Sequence, residues 1–172
     1  MSISHVSMLS SYDRHLMGST FNASSRDKGD YIIDVDDLYQ EIFRANKQAF
    51  EDLSLCCDRE VDPWEKVCRE ACECLIDSLN PSLEVEMKHF AGEEDEEEDD
   101  DHYFLIVSYE DMKFLVDPTY LQFLPLEDRD NVPEIMVCPI NNEEDLADYL
   151  TDHSIDPEDH HMWLDPIFKE DY

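Results

Sequence analysis

Between residues 34 and 55 apolar side chains return every three or four positions. Val35, Leu38, Ile42, Ala45, Ala49 and Leu53 make one stripe, the pattern of a helix that buries one face. Asp34, Asp36 and Asp37 suit its start, where backbone N–H groups are unpaired and the dipole is positive. A second helix is predicted to open at Asp62-Pro63-Trp64-Glu65, with an aspartate cap, a proline at the first helical position and an acid soon after. Ala71, Cys72, Leu75, Ile76 and Leu79 continue it, and Asn80-Pro81 ends it.

From Ser82 the period falls to two. Leu83, Val85, Met87 and His89 alternate with Glu84, Glu86, Lys88 and Phe90, which predicts a half-buried strand. Two more strands, His102–Ser108 and Met112–Asp117, are rich in β-branched and aromatic residues, and Pro118 stops the second. Residues 134–138 read as a fourth strand and Glu143–Tyr149 as a short helix. Between the first two strands runs an unbroken stretch of nine acids, residues 93–101, whose mutual repulsion predicts a mobile loop. Residues 1–30 are serine-rich without a period and read as a mobile leader; 151–172 are acidic, broken by two Asp-Pro steps, and read as a loosely packed C-terminal tail. What lies between, residues 31–150, is predicted to be a single α+β domain: an antiparallel sheet with helices packed on one face.

The hairpin of the second and third strands has a chemical consequence. A two-residue loop at Tyr109-Glu110 pairs Ser108 with Asp111 and brings His102 opposite Asp117 on one face, with Cβ atoms ~4.5–5.5 Å apart. A three-residue loop would shift the pairing by one and separate them. A carboxylate at that distance can hold one imidazole tautomer and stabilise the imidazolium. By itself the pair reads rather as a surface cross-strand ion pair of small worth. Cys68, in the helix before the sheet, adds a nucleophile to it. Cys72, one turn on, is a rival nucleophile or a small buried hydrophobe.

Composition narrows the classes. Lys and Arg number 12 against 45 Asp and Glu, a net charge of −33, which excludes ordinary binding to nucleic-acid phosphate and to anionic lipid. No apolar run reaches the ~20 residues of a spanning helix, and no apolar segment near the N-terminus reads as a secretory signal. A hydrophobic fraction of 42% is nevertheless enough for a core. The six cysteines, at 56, 57, 68, 72, 74 and 138, then read as reduced thiols. They contain no C-x2-C spacing, so no metal or other cofactor is expected. His160-His161 sit among acids and read as part of a solvated tail.

Val67-Cys68-Arg69-Glu70-Ala71-Cys72, then His102-Tyr103-Phe104, then Val116-Asp117-Pro118-Thr119-Tyr120-Leu121-Gln122-Phe123 resemble papain-like and transglutaminase-like thiol enzymes, above all bacterial toxin and effector glutamine deamidases. The resemblance spans about residues 60–140. It implies a papain-like core with the nucleophile helix ahead of the sheet, Cys68 as nucleophile, His102 as general base and acid, and Asp117 as its orienter. Gln122 would help stabilise the oxyanion, or would simply cap a turn. Lys66-Val67 stand where such enzymes often carry Gly or Asn. If Pro63 opens the helix, Cys68 falls in its second turn. The implied activity is deamidation of a protein glutamine, with peptidase or transglutaminase chemistry as the alternative on the same core. The implied substrate is a protein with a basic or neutral surface, met in the cytoplasm or in a host cytosol. A different class is also open: a non-catalytic acidic protein that holds a basic partner.

Overall fold

The computed structural model describes residues 32, 34–53, 67–92 and 101–169. The leader, the Asp62-Pro63 helix start and acids 93–100 lie outside the described residues.

Helix α1 (Val35–Asp52) begins as its sequence predicts, with the Asp34 carboxylate accepting the Asp37 N–H at 2.8 Å. Helix α2 (Cys68–Ser78) follows. Glu41, almost fully buried, ties the two helices together. It is clasped by Arg44 at 2.8 and 3.0 Å and accepts the Asn80 N–H at 2.8 Å, while Arg44 also donates to the Ser78 carbonyl at 2.6 Å. Burying that carboxylate is tolerable because it is both paired and hydrogen-bonded.

Four antiparallel strands then run in spatial order: β1 (Glu84–Phe90), β2 (His102–Tyr109), β3 (Met112–Asp117) and β4 (Met136–Pro139). Short 3-10 segments at Tyr120–Phe123 and Leu126–Asn131 link β3 to β4. Helix α3 (Glu143–Asp152), a 3-10 turn at Pro157–Asp159 and helix α4 (His161–Phe168) complete the chain. The fold is α+β with an open sheet. Among the described residues no helix is long and apolar enough to cross a membrane.

Two expectations are corrected here. Helices do not lie on one face only. Leu105, Val107, Phe114 and Val116 pack with α1 and α2, whereas Phe104, Ile106 and Leu115 pack with Leu146, Leu150, Met162 and Trp163 of α3 and α4. The central strands are apolar at both parities, as a sheet covered on both faces requires. The stretch after Leu150 is likewise no loose tail: Ile155, Met162 and Trp163 are buried in the second cluster. Met162, Trp163, Leu164, Ile167 and Phe168 recur at helical spacing, enough apolar surface to offset the ordering of an acidic segment.

The β2–β3 turn is Glu110-Asp111, one residue later than predicted. Glu110 takes a left-handed φ of 52° there, a conformation glycine would adopt more easily. Pairing runs from Tyr109↔Met112 to Leu105↔Val116, so the register differs from the predicted one by two residues. A slip of two leaves each side chain on its original face. Asp117 therefore shares a face with His102 but lies diagonal to it rather than opposite.

Candidate active site

His102 opens β2 and Asp117 closes β3, and neither exposes any surface. Their diagonal placement still brings His102 Nε2 to 2.6 Å from Asp117 Oδ2. The same Oδ2 accepts the indole N–H of Trp163 at 2.7 Å. Oδ1 accepts the Thr119 backbone N–H at 2.9 Å and the Thr119 hydroxyl at 3.4 Å. Donors thus reach both oxygens, as a fully buried carboxylate requires.

Aromatic rings enclose the imidazole. Phe123 meets it edge-on at 4.8 Å between centroids, Trp163 lies at 5.4 Å, and Phe104 at 6.1 Å. Burial alone would favour neutral imidazole. The charge and hydrogen bond of Asp117 outweigh burial, Cys68 adds to them, and the His102 pKa is pushed up to about 9. The imidazolium therefore persists at neutral pH. With Nε2 committed to Asp117, Nδ1 is the remaining ring nitrogen; it is buried and makes no hydrogen bond of ordinary geometry.

Cys68 is the first residue of α2. Val67, at φ −120° and ψ 12°, is not helical, and the first helical hydrogen bond is Ala71 N–H to the Val67 carbonyl at 2.8 Å. The expected place in a second helical turn is corrected: Cys68 stands at the start of the described helix, where backbone N–H groups have no intrahelical partner. Its Sγ is 3.8 Å from the carbonyl of Asp101, the residue before His102, and its side chain keeps a little exposure. Helix start, strand start and strand end thus bring Cys68, His102 and Asp117 together.

Cys72, the other thiol weighed for the site, sits one turn further along α2. It is fully buried in the α1–α2 core, and burial, with Asp117, Cys68 and Glu73 adding to it, pushes its thiol far up. Gln122 lies in the turn after Asp117, where its amide donates to Thr119 Oγ1 at 3.3 Å. That is the turn-capping role, and it places Gln122 behind the residue that steadies Asp117. Cys68, Cys72, Cys74 and Cys138 are all free thiols. Among the described residues no group of three or more His, Cys, Asp or Glu side chains is arranged to hold a metal. His160 is buried with its ring on the Ile155 carbonyl at 3.3 Å, a correction to the solvated placement expected for it.

Sequence reasoning missed Trp163, Thr119 and Phe123. The helical spacing within 162–168 was the available signal for Trp163. A further buried pair is also new: His153, beside Cys138 at 3.8 Å, donates to the Tyr149 carbonyl at 2.8 Å. Burial, only partly opposed by that bond, lowers its pKa to about 4 and keeps it neutral. Outside the aromatic wall, Phe123 also lines an open cleft of about 380 Å³ with Pro125, Asp128, Ser154, Asp156, Glu158 and Asp159.

No family model, curated protein or solved structure matches this chain.

Proposed function

We propose that the chain is a thiol hydrolase that converts a glutamine of a protein substrate to glutamate, on a papain-like arrangement of Cys68, His102 and Asp117. One observation carries this reading. A buried imidazole is held on Asp117 through one nitrogen, while its other nitrogen has no hydrogen-bond partner and the thiol stands at a helix start beside it.

The chemistry follows from those positions. Cys68 thiolate attacks the side-chain carboxamide carbon and forms a tetrahedral oxyanion. The C–N bond then breaks as imidazolium His102 gives its proton to the departing ammonia, leaving a thioester. Water attacks the thioester with His102 now acting as base; the C–S bond breaks and glutamate leaves. Asp117 keeps the imidazole in the tautomer and orientation that both steps use. The unpaired N–H groups at the start of α2 offer donors to the oxyanion. Gln122 would join them only after leaving Thr119. A peptidase or transglutaminase would use the same thioester with a different leaving group or acceptor.

The excess of carboxylates and the acid-lined cleft beside Phe123 favour a substrate with a basic surface. Free thiols suit a reducing cytosol, the protein's own or a host's. The test is mass spectrometry of basic proteins incubated with the chain. A gain of about one dalton on a glutamine, with ammonia released and both lost in Cys68→Ala, supports the reading. Binding of a basic partner that Cys68→Ala leaves intact, without modification, would replace it with the acidic binding protein.

A further inference from the structure

We infer that Trp163 is a positioning residue for the triad, and that helix α4 is thereby a working part of the site; the inference rests on the thiol-hydrolase reading. Asp117 Oδ2 carries two donors almost equally close, His102 Nε2 at 2.6 Å and Trp163 Nε1 at 2.7 Å. Thr119 holds only the other oxygen, Oδ1. Without the indole, the oxygen that faces His102 would have His102 as its sole partner, and the carboxylate would be steadied from one side.

Geometry adds a second reason. Trp163 exposes no surface and meets both His102 and Phe123 edge-on, at 5.4 and 5.3 Å between centroids. The indole therefore fixes the plane of the carboxylate and the place of the imidazole together. An N–H donated to a buried carboxylate favours its ionised form. Withdrawing that N–H leaves Oδ2 steadied from one side only, so the carboxylate turns more freely and its hydrogen bond to His102 loses alignment. Catalysis weakens because His102 has lost orientation and charge support, while the substrate-facing surface of the chain is unchanged.

The test uses the full chain with Trp163→Phe, and with the indole replaced by benzothienylalanine, which keeps the bicyclic shape and lacks the N–H. The expected result is a kcat lower by about ten- to a hundredfold, the size of one hydrogen bond to a charged group, with KM nearly unchanged. The NMR titration midpoint of His102 moves to lower pH in both variants. In an Asp117→Ala background, Trp163→Phe adds no further loss. An unmoved His102 titration, or rate losses that simply multiply in the double variant, would overturn the role. If Trp163→Phe does not fold, the isosteric replacement decides by the same two readouts. The titration is independent of any glutamine substrate. A shifted midpoint in a chain that deamidates nothing leaves the coupling standing and removes the hydrolase reading instead.

Discussion

His102 and Asp117 are diagonal neighbours across β2 and β3, not direct partners, yet their side chains meet at 2.6 Å. Trp163 donates to the same carboxylate oxygen at 2.7 Å. A histidine and an aspartate that each end a strand are held by the sheet, while the thiol comes from a helix start that packs on β2.

Cys68→Ala is expected to abolish deamidation, because no other described thiol combines access with the helix start. Cys72→Ala is expected to keep the activity and to lower stability by about 1 kcal/mol through lost packing. Kinetics on both variants beside thermal melts will check this. Loss of activity in a well-folded Cys72→Ala would contradict the assignment.

Asp117→Asn should fold and lose on the order of 10³–10⁴ in kcat, since an amide in place of the carboxylate favours the wrong tautomer. The same variant should bring the His102 titration down from about 9, because the charge that outweighs burial is gone. An NMR titration of the imidazole reads this directly.

Thermal stability is expected to be greatest near pH 6.5. His102 titrates at about 9 when folded, above the ordinary histidine value, so its contribution is complete below about 6.5 and is lost as pH rises through 9. His153 titrates at about 4 when folded, so its contribution is present above about 6.5 and is lost as pH falls toward 4. Melting curves across pH should show His153→Leu flattening the acid side and His102→Phe flattening the alkaline side.

A basic substrate should show a KM that rises with salt, as screening weakens attraction to the acidic surface. Asp128→Asn and Asp159→Asn, both on the cleft beside Phe123, should raise KM several-fold at low salt and less at high salt, with kcat held. Steady-state kinetics at two ionic strengths will separate this from a defect in the chemistry.

Much of the fold was legible because the chain's two periods are clean. The spacing of Leu38, Ile42 and Ala45 set α1, and Asp34 capped it as its side chain predicts. Met112–Asp117 is a strand over the predicted span because Pro118 removes the next donor. The β2–β3 turn was less legible. Neither Tyr109-Glu110 nor Glu110-Asp111 contains glycine or asparagine, so nothing local selects between them, and packing on both faces sets the register. Proximity of His102 to Asp117 survived that error because two residues is a full pleat period.

Trp163 was beyond reach for a different reason. Its partner Asp117 lies forty-six residues away in sequence, and no local pattern encodes a contact between a segment that reads as acidic and a strand end. The start of α2 shows the opposite failure. Asp62-Pro63 carries strong local start signals, yet Val67 is not helical and the described helix begins at Cys68.

The contact between Trp163 and His102 also makes the site optically self-reporting. An imidazolium quenches indole emission more strongly than neutral imidazole does, and these rings lie 5.4 Å apart, both fully buried. The chain has two tryptophans, Trp64 and Trp163. With Trp64→Phe, the remaining fluorescence comes from the indole on Asp117. Its intensity as pH passes about 9 would then follow, without any label or substrate, the gain and loss of the proton on which the chemistry turns.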